Sequence, residues 1–169
     1  MVKWGVLGTA GIARGCTIPG MQKAEGCELY AIAGRSLKKA EDFKQRFGFE
    51  KAYEGYDALL NDPGVQAVYI PLPNDIHCEW VIKALKAHKH VLCEKPMAMN
   101  EAEMKEMFKA SKENGGIAVM TQKKGQRLSS VKIYKAGRFE DEHRFRTKNL
   151  PAMGSLPQTG KATQTKLDI

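Results

Sequence analysis

The chain has 169 residues, 43% hydrophobic and 27% charged, a composition that fits one ordinary globular domain with a real core. No apolar run approaches the roughly 18 residues needed to span a bilayer, and the Gly-rich start Met1-Val2-Lys3-Trp4-Gly5-Val6-Leu7-Gly8 is too short in apolar length for a secretory signal. The net charge of +8 is uneven: up to Gly116 there are 16 Lys and Arg against 15 Asp and Glu, and the last 53 positions carry 11 against 4.

The expectation is therefore a cytoplasmic chain with no membrane partner, whose main domain is not an electrostatic nucleic-acid surface. Four cysteines (Cys16, Cys27, Cys78, Cys93) lie far apart with no Cys-x-x-Cys pair, which predicts reduced and mostly buried thiols. His88 and His90 lack a third ligand nearby, so no metal site is expected.

Lys3 to Leu7 reads as an apolar strand that stops at the glycine cluster Gly8-Thr9-Ala10-Gly11. Ile12 to Met21 reads as helix, broken or restarted at Pro19, which lacks the N–H that a helix interior needs. Glu28 to Ala33 is a near-continuous apolar run, the pattern of a strand buried on both faces. Ser36 is placed to cap a helix over Leu37 to Phe47, with Ala40, Phe43 and Phe47 on one side. A short edge strand over Lys51 to Tyr53 and a short helix over Tyr56 to Leu60 precede the turn Asn61-Asp62-Pro63-Gly64.

Gln66 to Ile70 is the next core strand, stopped by Pro71-Leu72-Pro73-Asn74, and Asp75 to Ala87 is helical. His90 to Cys93 is a further core strand, ended by Glu94-Lys95-Pro96. Asn100 with Glu103 makes a capping box for a helix to Asn114, where Gly115-Gly116 supply the stop. Ile117 to Met120 is expected as a last strand of a domain spanning 1–120. From Thr121 to Ile169 the chain is basic and weakly periodic, predicting a solvated, partly disordered tail with at most a short helix or strand between Ser129 and Phe139.

Alternation of strands with helices of about a dozen residues predicts an α/β fold with a doubly wound parallel sheet. Ligands of such sheets bind outside the carboxyl ends of the strands, near the switch in strand order. The glycine cluster, Gly34-Arg35-Ser36, Pro71 to Asn74 and Glu94-Lys95-Pro96 each follow a strand, so they are expected to line one crevice. Gly8-x-Ala10-x-x-Ala13 follows a strand and opens a helix, as a dinucleotide fingerprint does. Gly8 permits the tight turn, Ala10 lets the backbone approach a pyrophosphate, and Ala13 allows close helix packing. At the end of the second strand an acidic residue would bind the ribose 2′-hydroxyl of NAD. Arg35 stands there instead, with Lys39 nearby, and a guanidinium pairs a 2′-phosphate, so NADP is preferred over NAD.

Together these segments resemble the nucleotide-binding Rossmann domain of the Gfo/Idh/MocA family, the glucose–fructose oxidoreductases, inositol dehydrogenases and their relatives. The matching stretches are Trp4 to Ala13, Gly34-Arg35-Ser36 with Lys39, Tyr69-Ile70-Pro71-Leu72-Pro73-Asn74-x-x-His77, and His90 to Pro96. The resemblance implies that Gly8, Thr9, Ala10, Gly11 and Ile12 hold the pyrophosphate and that Arg35, Ser36 and Lys39 face the adenosine ribose. It implies that Pro71, Leu72, Asn74 and His77 line the nicotinamide side, with Glu94 and Lys95 beneath the ring. Lys95 resembles the family lysine that orients substrate and assists proton transfer. The activity implied is hydride transfer to or from a sugar, polyol or dihydrodiol. Family members continue into a second domain that carries the substrate pocket and usually the oligomer interface, and nothing after Met120 resembles it. A truncated or frame-shifted reading is therefore expected, binding cofactor but turning over little. The rival reading is a non-enzymatic nucleotide-sensing module.

Overall fold

The strands and helices follow that alternation, and the computed structural model describes them over residues 1–116, 118–124 and 127–134. In chain order they are β1 (Val2–Leu7), a π-helical turn (Ala13–Thr17) running into α1 (Ile18–Lys23), β2 (Cys27–Gly34), α2 (Leu37–Phe47), β3 (Lys51–Glu54) and α3 (Tyr56–Leu60). β4 (Ala67–Ile70), α4 (His77–Lys86), β5 (His90–Cys93), α5 (Glu101–Asn114), β6 (Ala118–Lys124) and β7 (Arg127–Tyr134) complete them. One seven-stranded sheet has the order β3-β2-β1-β4-β5-β6-β7. The first six strands of that order pair parallel, and β7 returns antiparallel along β6 with Ala118 opposite Tyr134. The doubly wound parallel fold is confirmed, and the order reverses between β1 and β4.

Residue alternation along the strands builds a core on each face of the sheet. Leu7, Ala31, Ala33, Val68, Ile70, Val91 and Cys93 point toward α3, α4 and α5, where Trp80, Val81, Leu85 and Met107 meet them. Trp4, Val6, Ile32, Tyr69 and Leu92 point the other way, onto Ala13, Ile18, Met21 and Phe47. Each buried leucine- or isoleucine-sized side chain contributes about 1.5–3 kcal/mol, so both layers are needed to hold the sheet flat against its helices.

The helix restarts at Pro19, which sits in the first turn of α1, where its missing N–H costs nothing, while other local expectations change. The adjustment is made upstream by the π-helical turn, in which the Ile18 N–H reaches back to the Ala13 carbonyl. Ser36 occupies the position before α2 but makes no side-chain capping bond. Only Cys93 is fully buried; Cys27 and Cys78 are half-buried and Cys16 is exposed, because Cys16 lies on the outer side of the wide turn. The sheet also runs past Met120, since β6 continues to Lys124 and β7 falls where a short helix or strand was expected. The end of β6, Thr121-Gln122-Lys123-Lys124, is polar and pairs only with the edge strand β7, which hides this part of the sheet from a hydrophobicity reading. The expectations for 135–169, His143 included, lie outside the described residues.

At the amino-terminal edge of the sheet, Asp62 anchors a polar cluster. Its carboxylate accepts from Lys51 Nζ (3.0 Å), the Tyr53 hydroxyl (2.7 Å) and the Gly64 N–H (2.8 Å). Lys89, buried beside it, donates its ammonium to the carbonyls of Asp62 and Val65 at 2.8 Å each. Burial lowers the pKa of Lys89, and those two carbonyls supply the acceptors that a buried ammonium requires. No described helix is long and apolar enough to cross a membrane.

Candidate functional site

The carboxyl ends of β2, β1, β4 and β5 lie side by side, so their four loops form one continuous rim. The Gly8 N–H donates to the Ala33 carbonyl at 2.8 Å, which ties the glycine loop to the end of β2. Gly34 is packed tightly there: a Cβ on it would lie 3.3 Å from the Ser36 carbonyl oxygen and 3.6 Å from the Thr9 methyl. Glu94 N–H donates to the Ile70 carbonyl at 3.1 Å, joining the β4 and β5 loops in the same way.

Gly8 has φ +107°, a conformation that side chains rarely adopt. A Cβ there would stand 3.0 Å from Leu72 Cδ2 and 3.7 Å from the Tyr56 hydroxyl. The turn thus needs glycine for its backbone and for its neighbours. Ala10 carries no such constraint; its carbonyl accepts the Arg14 N–H at 3.1 Å and starts the turn. Amides ahead of that bond aim out of the helix start, where an anion is favoured. Gly11 faces open space, since nothing lies within 4 Å of where its Cβ would be, and Ile12 beside it is exposed. The loop is thus packed tightly at Gly8 and open in front of Gly11.

On the adenosine side, Arg35 and Lys39 are exposed and Ser36 is half-buried. Burial pushes the Tyr56 phenol up, against a smaller opposing pull from the Arg35 charge. Tyr56 packs edge-on against Trp80 with ring centres 5.0 Å apart. Sequence reasoning passed over Tyr56 as the first residue of a short helix. It also passed over Leu37, an exposed apolar residue beside Arg35.

On the opposite side, Pro71 and Leu72 are buried, Asn74 and Lys95 are exposed, and Glu94 is half-buried. His77 differs from its expected placement. It is fully buried, with Nδ1 2.7 Å from the Pro96 carbonyl oxygen and Nε2 2.7 Å from the Leu72 carbonyl oxygen. Both ring nitrogens lie against backbone carbonyls, of which a neutral ring can donate to one, so the buried His77 bridges the β4 and β5 loops. A second tie comes from Tyr69, whose hydroxyl lies 2.6 Å from Glu94 Oε1 and 2.9 Å from Thr17 Oγ1. Tyr69 lies in a stretch that carried the family resemblance, but neither it nor Thr17 was given a role, because every residue of β4 is buried and the strand gives no phase to read.

The glycine loop, the cation at the end of β2 and the apolar residues around them fit a dinucleotide. Comparisons with known proteins agree. The model of the oxidoreductase family with an NAD-binding Rossmann fold matches residues 2–122. D-xylose 1-dehydrogenase (NADP(+)) 2 of Haloferax volcanii is 42% identical over 117 residues, covering 69% of this chain and 35% of that one. Mouse trans-1,2-dihydrobenzene-1,2-diol dehydrogenase is 37% identical over 116 residues, 68% of this chain and 34% of that one. A crystal structure of a 3-ketoreductase from Actinomadura kijaniata, in complex with TDP-benzene and NADP, superposes with a TM-score of 0.69 at 39% identity. It covers 71% of this chain and 38% of the ketoreductase. The chain therefore spans about a third of the length of the relatives it matches. By its motifs, its strand order and these matches, the chain belongs to the NAD-binding Rossmann-fold oxidoreductase family, Gfo/Idh/MocA.

Proposed function

We propose that the crevice binds NADP(H) and that the protein serves hydride transfer to or from a carbon of a sugar, polyol or dihydrodiol. The observation that carries this reading is the row of four neighbouring strand-end loops with the glycine turn among them, where the φ of +107° at Gly8 and its closeness to Leu72 leave room only for backbone. When bound, the nicotinamide supplies or accepts the hydride. The chain's part is to bind and orient. Gly8 to Ile12 hold the pyrophosphate over the helix start. Arg35, with Lys39 one turn into α2, holds the 2′-phosphate, since a fixed guanidinium fork matches phosphate geometry. Lys95, exposed beside Glu94 at the end of β5, orients the reacting oxygen and handles its proton. Relatives that act on dTDP-sugars, D-xylose and dihydrobenzene-diol support the substrate class.

Fluorescence titration tests the cofactor. NADPH is expected to bind more tightly than NADH, and Arg35→Ala is expected to weaken NADPH by roughly tenfold or more, the scale of a lost charge-assisted pair, with little change for NADH. Equal affinities that Arg35→Ala leaves untouched overturn the NADP preference. An unsubstituted chain that binds neither overturns the cofactor reading.

A further inference from the structure

Thr17, Tyr69 and Glu94 stand on three separate elements: the π-helical turn after the glycine loop, the core strand β4, and the loop after β5. Tyr69 is completely buried, and its phenol oxygen touches both of the others. A phenol has one proton to give. The 2.6 Å contact with Glu94 Oε1 has the length of a hydroxyl donating to a carboxylate, and so takes it. The 2.9 Å contact with Thr17 must then run the other way, with the Thr17 hydroxyl donating to the Tyr69 oxygen. Burial and the adjacent Glu94 carboxyl push the Tyr69 phenol far up, so it remains a donor at every physiological pH. The direction of the chain is fixed: Thr17 to Tyr69 to Glu94.

Packing alone does not call for this arrangement. Valine at 17 and phenylalanine at 69 would fill the same space, and a hydrogen-bonded pair replaced by apolar groups of equal shape is nearly neutral for stability. What the relay does accomplish is to hold one oxygen of Glu94 in place next to Lys95. It also joins that carboxylate to the helix that begins at the glycine loop. We infer that Thr17 and Tyr69 are positioning residues, a buried relay that fixes Glu94 at the nicotinamide end of the crevice and couples it to the pyrophosphate end. The inference rests on the cofactor reading above.

Three variants of the 169-residue chain test it: Tyr69→Phe, Thr17→Val and the conservative Thr17→Ser. Each is titrated with NADPH and with adenosine 2′,5′-bisphosphate, which carries the adenine end but no nicotinamide. Tyr69→Phe is expected to weaken NADPH by about tenfold, the loss of one hydrogen bond to a charged group, and to reduce the emission gain of the bound nicotinamide. Affinity for the bisphosphate and the melting temperature are expected to stay near those of the unsubstituted chain. Thr17→Val is expected to show a smaller loss of the same kind, and Thr17→Ser to recover it. Equal weakening of both ligands together with a lowered melting temperature overturns the relay in favour of simple packing. No change in NADPH binding overturns it too. If the unsubstituted chain binds the bisphosphate and NADPH, either failure falls on the relay alone; if it binds neither, the cofactor reading falls and takes the relay with it.

Discussion

At the scale of single residues, the two glycines of the turn stand in different surroundings. Gly8 is required by its own backbone and by Leu72 beside it, whereas nothing lies within 4 Å of where a Cβ on Gly11 would stand. Gly8→Ala is expected to destabilise the fold by about 1–3 kcal/mol, the cost of a side chain in a sparsely populated backbone region, and to weaken NADPH binding at the same time. Urea unfolding and fluorescence titration check the two effects separately; a variant as stable as the parent would mean that the loop adopts another turn. The Gly-x-Ala-x-x-Ala spacing announced this site, and so did the Arg35 position. Tyr56, Tyr69 and Thr17 were given no role because their partners lie on other elements, 25 residues apart for Tyr69 and Glu94 and 52 for Thr17 and Tyr69, and no local pattern encodes such meetings. His77 carried a motif signal, yet its contacts are with two carbonyls beneath the rim. A motif names a residue that matters without saying which way it faces.

At the scale of elements, most boundaries were readable because periodicity, caps and stops agree. α5 is the clearest case. Asn100 Oδ1 accepts the Glu103 N–H at 2.9 Å, and Glu103 Oε2 accepts the Met99 N–H at 2.8 Å. Gly115, at φ +68°, ends the helix as expected. Asn100→Ala is expected to cost about 1 kcal/mol, measured by urea unfolding, whereas Asn100→Ser is expected to cost much less because serine also caps. Around Pro19 the sequence left a break or a restart open; the helix restarts there after a π-helical turn, with Ile18 and Met21 still packed on the sheet. β7 was obscure. An edge strand needs only a neighbour to pair with, and the pairing partner β6 was itself polar beyond Met120.

At the scale of the whole molecule, the two edges of the sheet divide the work. The carboxyl edge gathers the loops that bind, and the amino edge carries the Asp62 cluster that binds β3, β4 and β5 together through Lys51, Tyr53 and Lys89. Burial alone would raise the Asp62 carboxyl, but the bonds from Tyr53, Gly64 and Lys51 outweigh it and hold the group below the usual carboxylate range. A depressed folded-state pKa adds stability above the unfolded value of about 4, and that stability is lost as pH falls through the folded value. Urea unfolding between neutral pH and pH 3 is therefore expected to show an acid-side loss that Asp62→Asn reduces. An identical pH slope in that variant would exclude Asp62 as its source.

Fold class, the strand–helix alternation, the glycine turn and the dinucleotide fingerprint were all present in the order of residues, because each depends on short-range periodicity or turn geometry. The sheet order, the burial of His77 and the Thr17–Tyr69–Glu94 chain emerged with folding. Each is a meeting of groups from separate elements, settled by which strand lies beside which and by the need of buried polar groups for partners.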